Sequence, residues 1–270
     1  MRRPAPATVR WLILLTVLVL WELLPRLGLI AELFLPPLSK TVTVLIADRQ
    51  EYIEALLVTL YEVAFAMLIA CGAGILVGAL VGGVAPLRNL LLPVFSSLYA
   101  VPIVILYPIF TAWLGIGSES KIAFAGVYGF FPVMLSTAAG IRTIDAQLLL
   151  AARAMGASLP QQIARVIIPA SIPTVLTGLR LGGALTIIGV VVSEMLTSTA
   201  GIGYLVTRYR TILDSAHVFA SILMILVLSV LFDAFARALE RRTLVWQTAG
   251  RREKEAHGPA EALATPAPAG

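Results

Sequence analysis

The stretch AARAMGASLPQQIARVIIPASIP, residues 151–173, is polar and contains a glycine break, in a chain whose 270 residues are 59% hydrophobic and 13% charged. It is too polar to be a membrane span and too long to be a tight turn. Helix-forming residues flank Gly156 on both sides, which predicts two short helices joined at this glycine. The fold follows from this segment and from the apolar windows on either side of it.

Start and stop signals mark both short helices. Asp145 is a typical N-cap for the first helix, and Gly156 supplies the left-handed residue after its last turn. Ser158 and Gln161 have the spacing of a capping box for the second helix, which Pro169 is expected to end. The apolar positions of both helices fall on one side: Ile144, Leu148, Ala151, Ala152, Met155, Leu159, Ile163, Val166 and Ile167. We therefore expect a helix-turn-helix with one apolar and one polar side.

The rest of the chain is dominated by apolar windows. A mean hydropathy of +0.93 is far above that of a water-soluble domain. About six windows have the length that a helix needs to cross hydrocarbon. They lie near residues 11–25, 58–81, 90–113, 122–140, 174–196 and 217–236. The first window is followed by WELLPRLG, residues 21–28, which lacks a signal-peptidase pattern, so we read it as an uncleaved span. The sequence thus predicts an all-α membrane protein with six transmembrane helices.

The distribution of positive charge predicts orientation. With six spans, 14 of the 20 Lys and Arg residues fall on the side of the two termini and of the helix-turn-helix, and 6 fall on the other. Because cytoplasmic loops are rich in Lys and Arg, both termini and the helix-turn-helix are expected in the cytoplasm. The basic excess then indicates contact with acidic lipid, with no reason to expect nucleic-acid binding.

Three regions differ in composition. Residues 1–54 hold the N-terminal cytoplasmic segment, the first span and its outer connection. Residues 55–240 form the membrane domain. Residues 241–270 are charged and then rich in Ala and Pro, which predicts a disordered cytoplasmic tail.

Several kinds of chemistry lack their residues. The two histidines, His217 and His257, are far apart in the chain, so no metal-ligand or catalytic set is expected. Lys40, Lys121 and Lys254 do not end a phosphate-binding loop, so ATP binding by that route is not expected. The spans also lack the string of acidic residues and histidines of a proton-coupled carrier. The chain has a membrane bundle and no evident energy source.

The helix-turn-helix has two possible roles. An amphipathic segment of this kind can lie on the lipid surface, with Arg153 and Arg165 at lipid phosphates. A surface helix is rarely interrupted by a tight glycine turn, however. A bent, protruding segment suits insertion into a cleft on a soluble ATPase, whose carboxylates would pair with the same two arginines.

The run LAARAMGASLPQQIARVIIP, residues 150–169, resembles the EAA loop of binding-protein-dependent ABC importer permeases. The two alanines, the glycine after three more residues and the aliphatic end before Pro169 match the family pattern. Leu150 departs from it, because the family usually has glutamate there. The blocks at residues 34–45, 108–125, 131–145 and 191–206 are similar to the branch that serves nitrate, alkanesulfonates and taurine.

This resemblance implies a type I importer fold with a coupling helix between spans 4 and 5. It also implies a multi-pass protein of the bacterial inner membrane that works with a second permease copy, two ATPase subunits and a periplasmic solute-binding protein. The chain would be a transport subunit rather than an enzyme and would bind no cofactor, with ATP and Mg on the ATPase. The expected solute is small and anionic, such as a sulfonate, nitrate or taurine. A vitamin precursor and, less favoured, ATP-independent carriage are the alternatives.

Two sets of site residues follow. The ATPase-docking loop comprises Ala151, Ala152, Arg153, Gly156, Ser158, Gln161, Arg165 and Pro169. The candidate pathway residues are Ser96, Ser97, Tyr99, Pro102 and Glu194. Prolines in the third window indicate a broken helix, which membranes tolerate mainly where it faces protein or a cavity. Glu194 is expected either to pair with an arginine of the next loop, such as Arg208 or Arg210, or to face the solute.

Overall fold

The computed structural model describes the backbone of residues 6–261 and the side chains of residues 8–241, and every regular element in this part of the chain is helical. The α-helices are α1 (Pro6–Arg26), α2 (Leu38–Ala47), α3 (Arg49–Gly83), α4 (Ala85–Tyr99), α5 (Tyr107–Leu114), α6 (Ser118–Arg142), α7 (Ala146–Ala154), α8 (Leu159–Gln162), α9 (Ile168–Leu196), α10 (Ile202–Thr211) and α11 (Ser215–Glu261). A 3₁₀ turn, Ile103–Leu106, precedes α5, and a π-helical turn, Ile163–Ile167, joins α8 to α9.

Five stretches are long and apolar enough to cross a bilayer. They are Thr8–Arg26, Arg49–Gly83, Ser118–Arg142, Leu159–Leu196 and Ser215–Arg241. Helix α4 and the stretch Ile103–Leu114 meet the same criterion together, with a bend of 85° between them. The bend lies between Tyr99 and Ile103 and includes Pro102. Because proline has no backbone N–H to donate, the helical hydrogen bonds are interrupted here.

The bent pair crosses the whole bundle. Helices α3 and α6 run parallel. Glu62 contacts Lys121 in the N-terminal halves of the two helices, and Gly82 contacts Ala138 close to their C-terminal ends. The end of α3 and the start of α6 therefore lie at opposite ends of the bundle. The α4–α5 segment connects these two points, so it forms a sixth crossing and is not a re-entrant loop.

The remaining directions follow from side-by-side contacts. Helix α9 runs antiparallel to α6, since Gly140 meets Thr174 while Gly189 meets Ala125. Helix α11 runs antiparallel to α9, and its Asp233 pairs with Arg180. The 145–169 loop therefore lies at one end of the bundle, together with the start of α1 and the far part of α11. We call this the loop end, and we call the other end, which carries α2 and α10, the opposite end.

Close helix contacts hold the bundle together. Gly74, Gly78 and Gly82 of α3 face α6 at a distance where any Cβ would collide with its backbone or side chains. Gly182 of α9 meets Gly129 of α6 in the same way. Small residues allow such approach between membrane helices. A Cβ at Gly183 would meet Phe232 of α11, and one at Gly189 would meet Ala125 of α6.

One predicted boundary is wrong. Pro169 does not end the second short helix, because α8, the π turn and α9 form one continuous stretch from Leu159 to Leu196, whereas the predicted span began at residue 174. In the π turn the N–H of Ile168 bonds to the carbonyl of Ile163, a wider spacing that accommodates the donor-free proline in the next turn. The backbone of α11 is helical as far as Glu261, and the tail expected from residue 241 stays a prediction. Residues 262–270 of that tail lie outside the described part.

Candidate functional site

The 145–169 loop is built from local signals, as its sequence predicted. Asp145 caps α7 by accepting a hydrogen bond from the N–H of Gln147 at 2.9 Å. After α7 the N–H of Gly156 bonds to the carbonyl of Arg153, and the N–H of Ala157 bonds to that of Ala152. This pair of bonds is a Schellman motif, and Gly156 occupies its left-handed position with φ 76°.

The second half of the loop is closed by glutamines. Ser158 and Gln161 form the predicted capping box, with the N–H of Ser158 donating to Oε1 of Gln161 at 2.9 Å. Gln162 is buried, and its Nε2 donates to the carbonyl of Ala157 at 2.8 Å. Arg153 donates to Oε1 of the same Gln162 at 3.4 Å. Gln162, which sequence reasoning did not select, therefore joins the two short helices across the turn.

The apolar side of the loop divides into two parts. Ala152 is buried, and Val166 and Ile167 are half-buried where the loop meets the bundle. Met155 at 81% exposure and Leu159 at 70% protrude from the turn. Exposed apolar side chains that lie next to each other are typical of an interaction site. The loop thus presents a rigid apolar tip, beside which Ala151, Arg153 and Arg165 are also exposed.

Four of the candidate pathway residues lie together on or just after α4. Ser96, Ser97 and Tyr99 are exposed, and Pro102 follows at the break. Within the described chain, α4 has no buried residue. The ring of Tyr99 stacks on Phe131 of α6 at 6.0 Å, which fixes one side of this surface. The α4 face is therefore open in a single copy of the chain.

Glu194 does not lie on that face: its carboxylate binds Thr59 and Gly203 rather than Arg208 or Arg210, and a role facing the solute stays a prediction. It is 1% exposed, and its Oε2 accepts a hydrogen bond from the N–H of Gly203 at 2.7 Å. Its Oε1 accepts from the hydroxyl of Thr59 at 2.8 Å, and Thr59 accepts in turn from the N–H of Ile202. A carboxylate from α9 thus caps the positive N-terminus of α10. A Cβ at Gly201 would collide with this carboxylate, so glycine is needed there.

A second buried carboxylate lies in the same region. Glu62 and Lys121 are almost fully buried and form an ion pair of 2.5 Å. Lys121 also donates to Ser198 at 2.9 Å, and Ser118 donates to Glu62 at 2.8 Å. These contacts fix the α9–α10 connection to α3 and α6. Glu62 lies within the apolar window 58–81 and Lys121 lies just before the window 122–140, so the sequence does not indicate that they pair.

The C-terminal half of α10 is held from α3 and α11. Glu51 pairs with Arg208 and accepts a hydrogen bond from the hydroxyl of Tyr209 at 2.5 Å. Burial and this bond raise the pKa of Tyr209. The ring of His217 stacks on Tyr209 at 4.2 Å; its Nε2 hydrogen-bonds to Asp48, and its Nδ1 lies within ion-pair distance of Asp214. Arg208 is therefore engaged by Glu51 and is not available to Glu194.

Helix α10 ends in an unusual turn. The N–H of Leu213 bonds to the carbonyl of Arg210, and that of Asp214 bonds to Tyr209, which is again a Schellman motif. Here its left-handed position is occupied by Leu213 with φ 60°, the one positive-φ residue other than glycine among those described. A leucine in this conformation costs roughly 1 kcal/mol relative to glycine.

Comparison with known proteins decides the family. The model of the binding-protein-dependent transport system inner membrane component matches residues 71–245. The chain belongs to this family. The putative aliphatic sulfonates transport permease of Bacillus subtilis (strain 168) is 33% identical over 86% of this chain and 84% of its own length. The taurine transport system permease of Escherichia coli (strain K12) is 33% identical over 86% and 87%.

Further relatives and a solved structure agree with this family. The formylaminopyrimidine transport permease of Halalkalibacterium halodurans is 29% identical over 92% of this chain and 99% of its own length. An inward-facing structure of the MetNI methionine ABC transporter has a TM-score of 0.59 at 18% identity, covering 72% of this chain and 94% of that chain. The last comparison shows a shared fold.

Family membership establishes the general role. The chain is the membrane permease subunit of an ABC importer, an inner-membrane multi-pass protein that works with a solute-binding protein and a separate ATPase. It is a transport subunit and not an enzyme, since ATP hydrolysis belongs to the ATPase. The type I fold expected from the resemblance is confirmed.

Proposed function

We propose that this permease imports a small organic sulfonate, such as taurine or an alkanesulfonate, through a pathway formed by two copies of the chain. The relatives that transport an aliphatic sulfonate and taurine are each 33% identical over most of their length. The open α4 face, with Ser96, Ser97 and Tyr99, supports a pathway that a second copy completes. Each copy carries one ATPase subunit, and ATP and Mg bind there.

We also propose that the loop end faces the cytoplasm and that the 145–169 loop inserts into a cleft of the ATPase. The excess of Lys and Arg at this end supports the orientation. The observation that carries the docking role is the rigid apolar tip at Met155 and Leu159. Arg165 is exposed and has no ion pair within the described chain, so we assign it to a carboxylate of the ATPase. The usual glutamate is replaced by the exposed Leu150, which extends the apolar contact.

In this proposal, ATP drives alternating access. ATP binding closes the ATPase dimer and carries the two loops with it, which opens the bundle to the solute, and hydrolysis returns it. The loop must keep its shape to transmit this motion. Its Schellman turn is the part that a single substitution disrupts most directly.

The docking role is tested by Gly156→Val, with Gly28→Val as a matched control. Gly28 closes α1 through the same bonds, from Gly28 N–H to Pro25 and from Leu29 N–H to Leu24, and it has φ 71° and open space around a Cβ. Both substitutions thus strain an equivalent turn, at opposite ends of the bundle. Affinity purification from native membranes in mild detergent should recover the ATPase with wild type and Gly28→Val, and lose it with Gly156→Val. Normal ATPase recovery and uptake with Gly156→Val would refute the docking assignment.

The solute is tested separately with the assembled transporter in proteoliposomes and its own binding protein. Taurine and an alkanesulfonate should each be taken up by the vesicles when ATP is present. Formylaminopyrimidine is the second candidate, favoured by the relative that this chain matches over 99% of that relative's length. ATP-dependent uptake of that compound alone would overturn the sulfonate assignment and leave the docking role intact.

A further inference from the structure

The turn at residues 210–214, which we call the α10 turn, contains a leucine where the backbone favours glycine. Leu213 is left-handed and 68% exposed, and the preceding Ile212 is 65% exposed. Most of the Leu213 side chain therefore has no contact within this chain that would offset its backbone strain. Strain of this kind persists mainly where a side chain serves another purpose.

The position of the α10 turn argues against lipid as that purpose. The ion pair of Arg208 with Glu51 lies one helical turn earlier, and Asp214 follows directly with His217. Asp48 beyond it is half exposed. A ring of exposed charge places Leu213 above the hydrocarbon region, where apolar side chains meet water or protein.

The surroundings of the turn suit a protein partner. Ile212 lines a cleft that runs between α10 and the start of α6, with Ile116, Thr199 and Thr207 on its walls. Arg210 next to it is exposed and forms no ion pair with any residue whose side chain the structure describes. A protruding leucine, a neighbouring cleft and a free cation together match a partner that offers an apolar pocket beside a carboxylate.

We propose that the α10 turn is a contact point for the solute-binding protein, with Leu213 and Ile212 as its apolar anchors and Arg210 as its charged one. The inference rests on the proposed function in one respect, the orientation that puts the loop and the ATPase at the other end. The family depends on a binding protein, and this is the end left for it.

The attachment of α10 gives this contact a consequence. Its N-terminus is held by Glu194 of α9 and Thr59 of α3, and its C-terminal half is held by Glu51. The turn is therefore fixed to α3 and α9, which both extend to the loop end. A partner that binds here pushes on the bundle itself and not on a mobile loop.

The test compares Leu213→Asn and Leu213→Gly with wild type in the full transporter, reconstituted in lipid nanodiscs. Asn and Gly both tolerate the left-handed conformation, so the fold is expected to be as stable as wild type or more stable. Affinity for the liganded binding protein should fall by about tenfold or more in both variants, as for the loss of an apolar anchor. Basal ATPase activity without the binding protein should not change.

Leu29→Asn is the matched control. Leu29 is 69% exposed, lies near the same end and has an ordinary φ. It should bind the partner as wild type does. Wild-type affinity in both Leu213 variants, or an equal loss in Leu29→Asn, would overturn the proposal. The proposal would also be overturned if both Leu213 variants bind the partner normally but lose thermal stability in nanodiscs and not in detergent. That result would mean that Leu213 contacts lipid.

These outcomes are separable from a failure of the proposed function. If the sulfonate assignment is wrong, wild type itself fails to take up the sulfonate, and if the docking assignment is wrong, Gly156→Val retains the ATPase. If only the present inference is wrong, wild type and both Leu213 variants bind the partner equally.

Discussion

The turns at Gly156 and at Leu213 end their helices through the same pair of backbone hydrogen bonds, yet they are held in place by different parts of the chain. Around Gly156 the supporting groups are Asp145, Ser158 and Gln162, all within the same short segment. Around Leu213 the support comes from far away in sequence. Glu51 is 157 residues from Arg208, and Thr59 is 143 residues from Ile202.

This difference shows how one backbone motif serves two purposes. The loop turn is complete in itself and can protrude from the bundle as a stiff tip. The α10 turn depends on buried charges in the bundle, so its conformation should change when the packing of α3, α6 and α9 changes. Substitutions far from α10 should therefore affect its turn, whereas the loop turn should respond only to local changes.

Lys121→Met should have the largest effect. It leaves the carboxylate of Glu62 buried without its charge partner, which costs about 3–5 kcal/mol. Thermal unfolding in detergent should shift down, and amide exchange in α10 should accelerate while the 145–169 loop stays protected. Lys40→Met is the control, since its pair with Glu32 is exposed and is worth at most about 1 kcal/mol. Equal stability of the two variants would contradict the role of the buried pair.

Gln162→Ala should have a smaller and local effect. It removes the hydrogen bond to Ala157 and the contact with Arg153, at a cost of about 1–2 kcal/mol. Amide exchange should rise across the loop turn and not in α10, and ATPase affinity should weaken. Gln147→Ala, at an exposed position of α7, should leave both unchanged. Faster exchange in α10 would mean that the two turns are less independent than their contacts indicate.

The smallest effect is a dependence on pH at the α10 turn. Burial opposes it, but hydrogen bonds from His217 lower the pKa of Asp214 below its ordinary value. A carboxyl with a lowered pKa in the folded state stabilises the protein above its unfolded pKa, and this contribution is lost as pH falls through the folded value. The melting temperature of wild type should exceed that of Asp214→Asn near pH 6, and the gap should close on acidification below about pH 4. A gap independent of pH would exclude this contribution.

The sequence predicted what depends on neighbours in the chain. The N-cap at Asp145, the left-handed Gly156 and the capping box at Ser158 are confirmed, because each is a signal read within a few residues. Six crossings also follow from apolar length alone. Pro169 was expected to end the second short helix and does not, because the π turn before it accommodates the proline and the helix continues.

Long-range contacts were out of reach of the sequence. No local sequence signal indicates that Glu194 contacts Thr59. The partners expected for it, Arg208 and Arg210, were chosen because they follow it closely in the chain. The buried pair of Glu62 and Lys121 was hidden for the same reason, because one member lies within a span and the other at the start of a different helix. The break in the third window was predicted from its prolines, which interrupt helical hydrogen bonds, whereas the pathway role of the α4 face stays a prediction.

The stretch from Leu159 to Leu196 has a mechanical consequence. It is one helical rod of 38 residues, about 57 Å long at 1.5 Å per residue. Its first residue belongs to the apolar tip of the loop, and Glu194, near its last, holds α10. The two ends of the bundle are thus connected by a single helical stretch, which is irregular at the π turn Ile163–Ile167 and at Pro173. If one end of this helix tilts, the other end must move as well. The stiffness of the helix at its irregular positions determines how much of the tilt is transmitted.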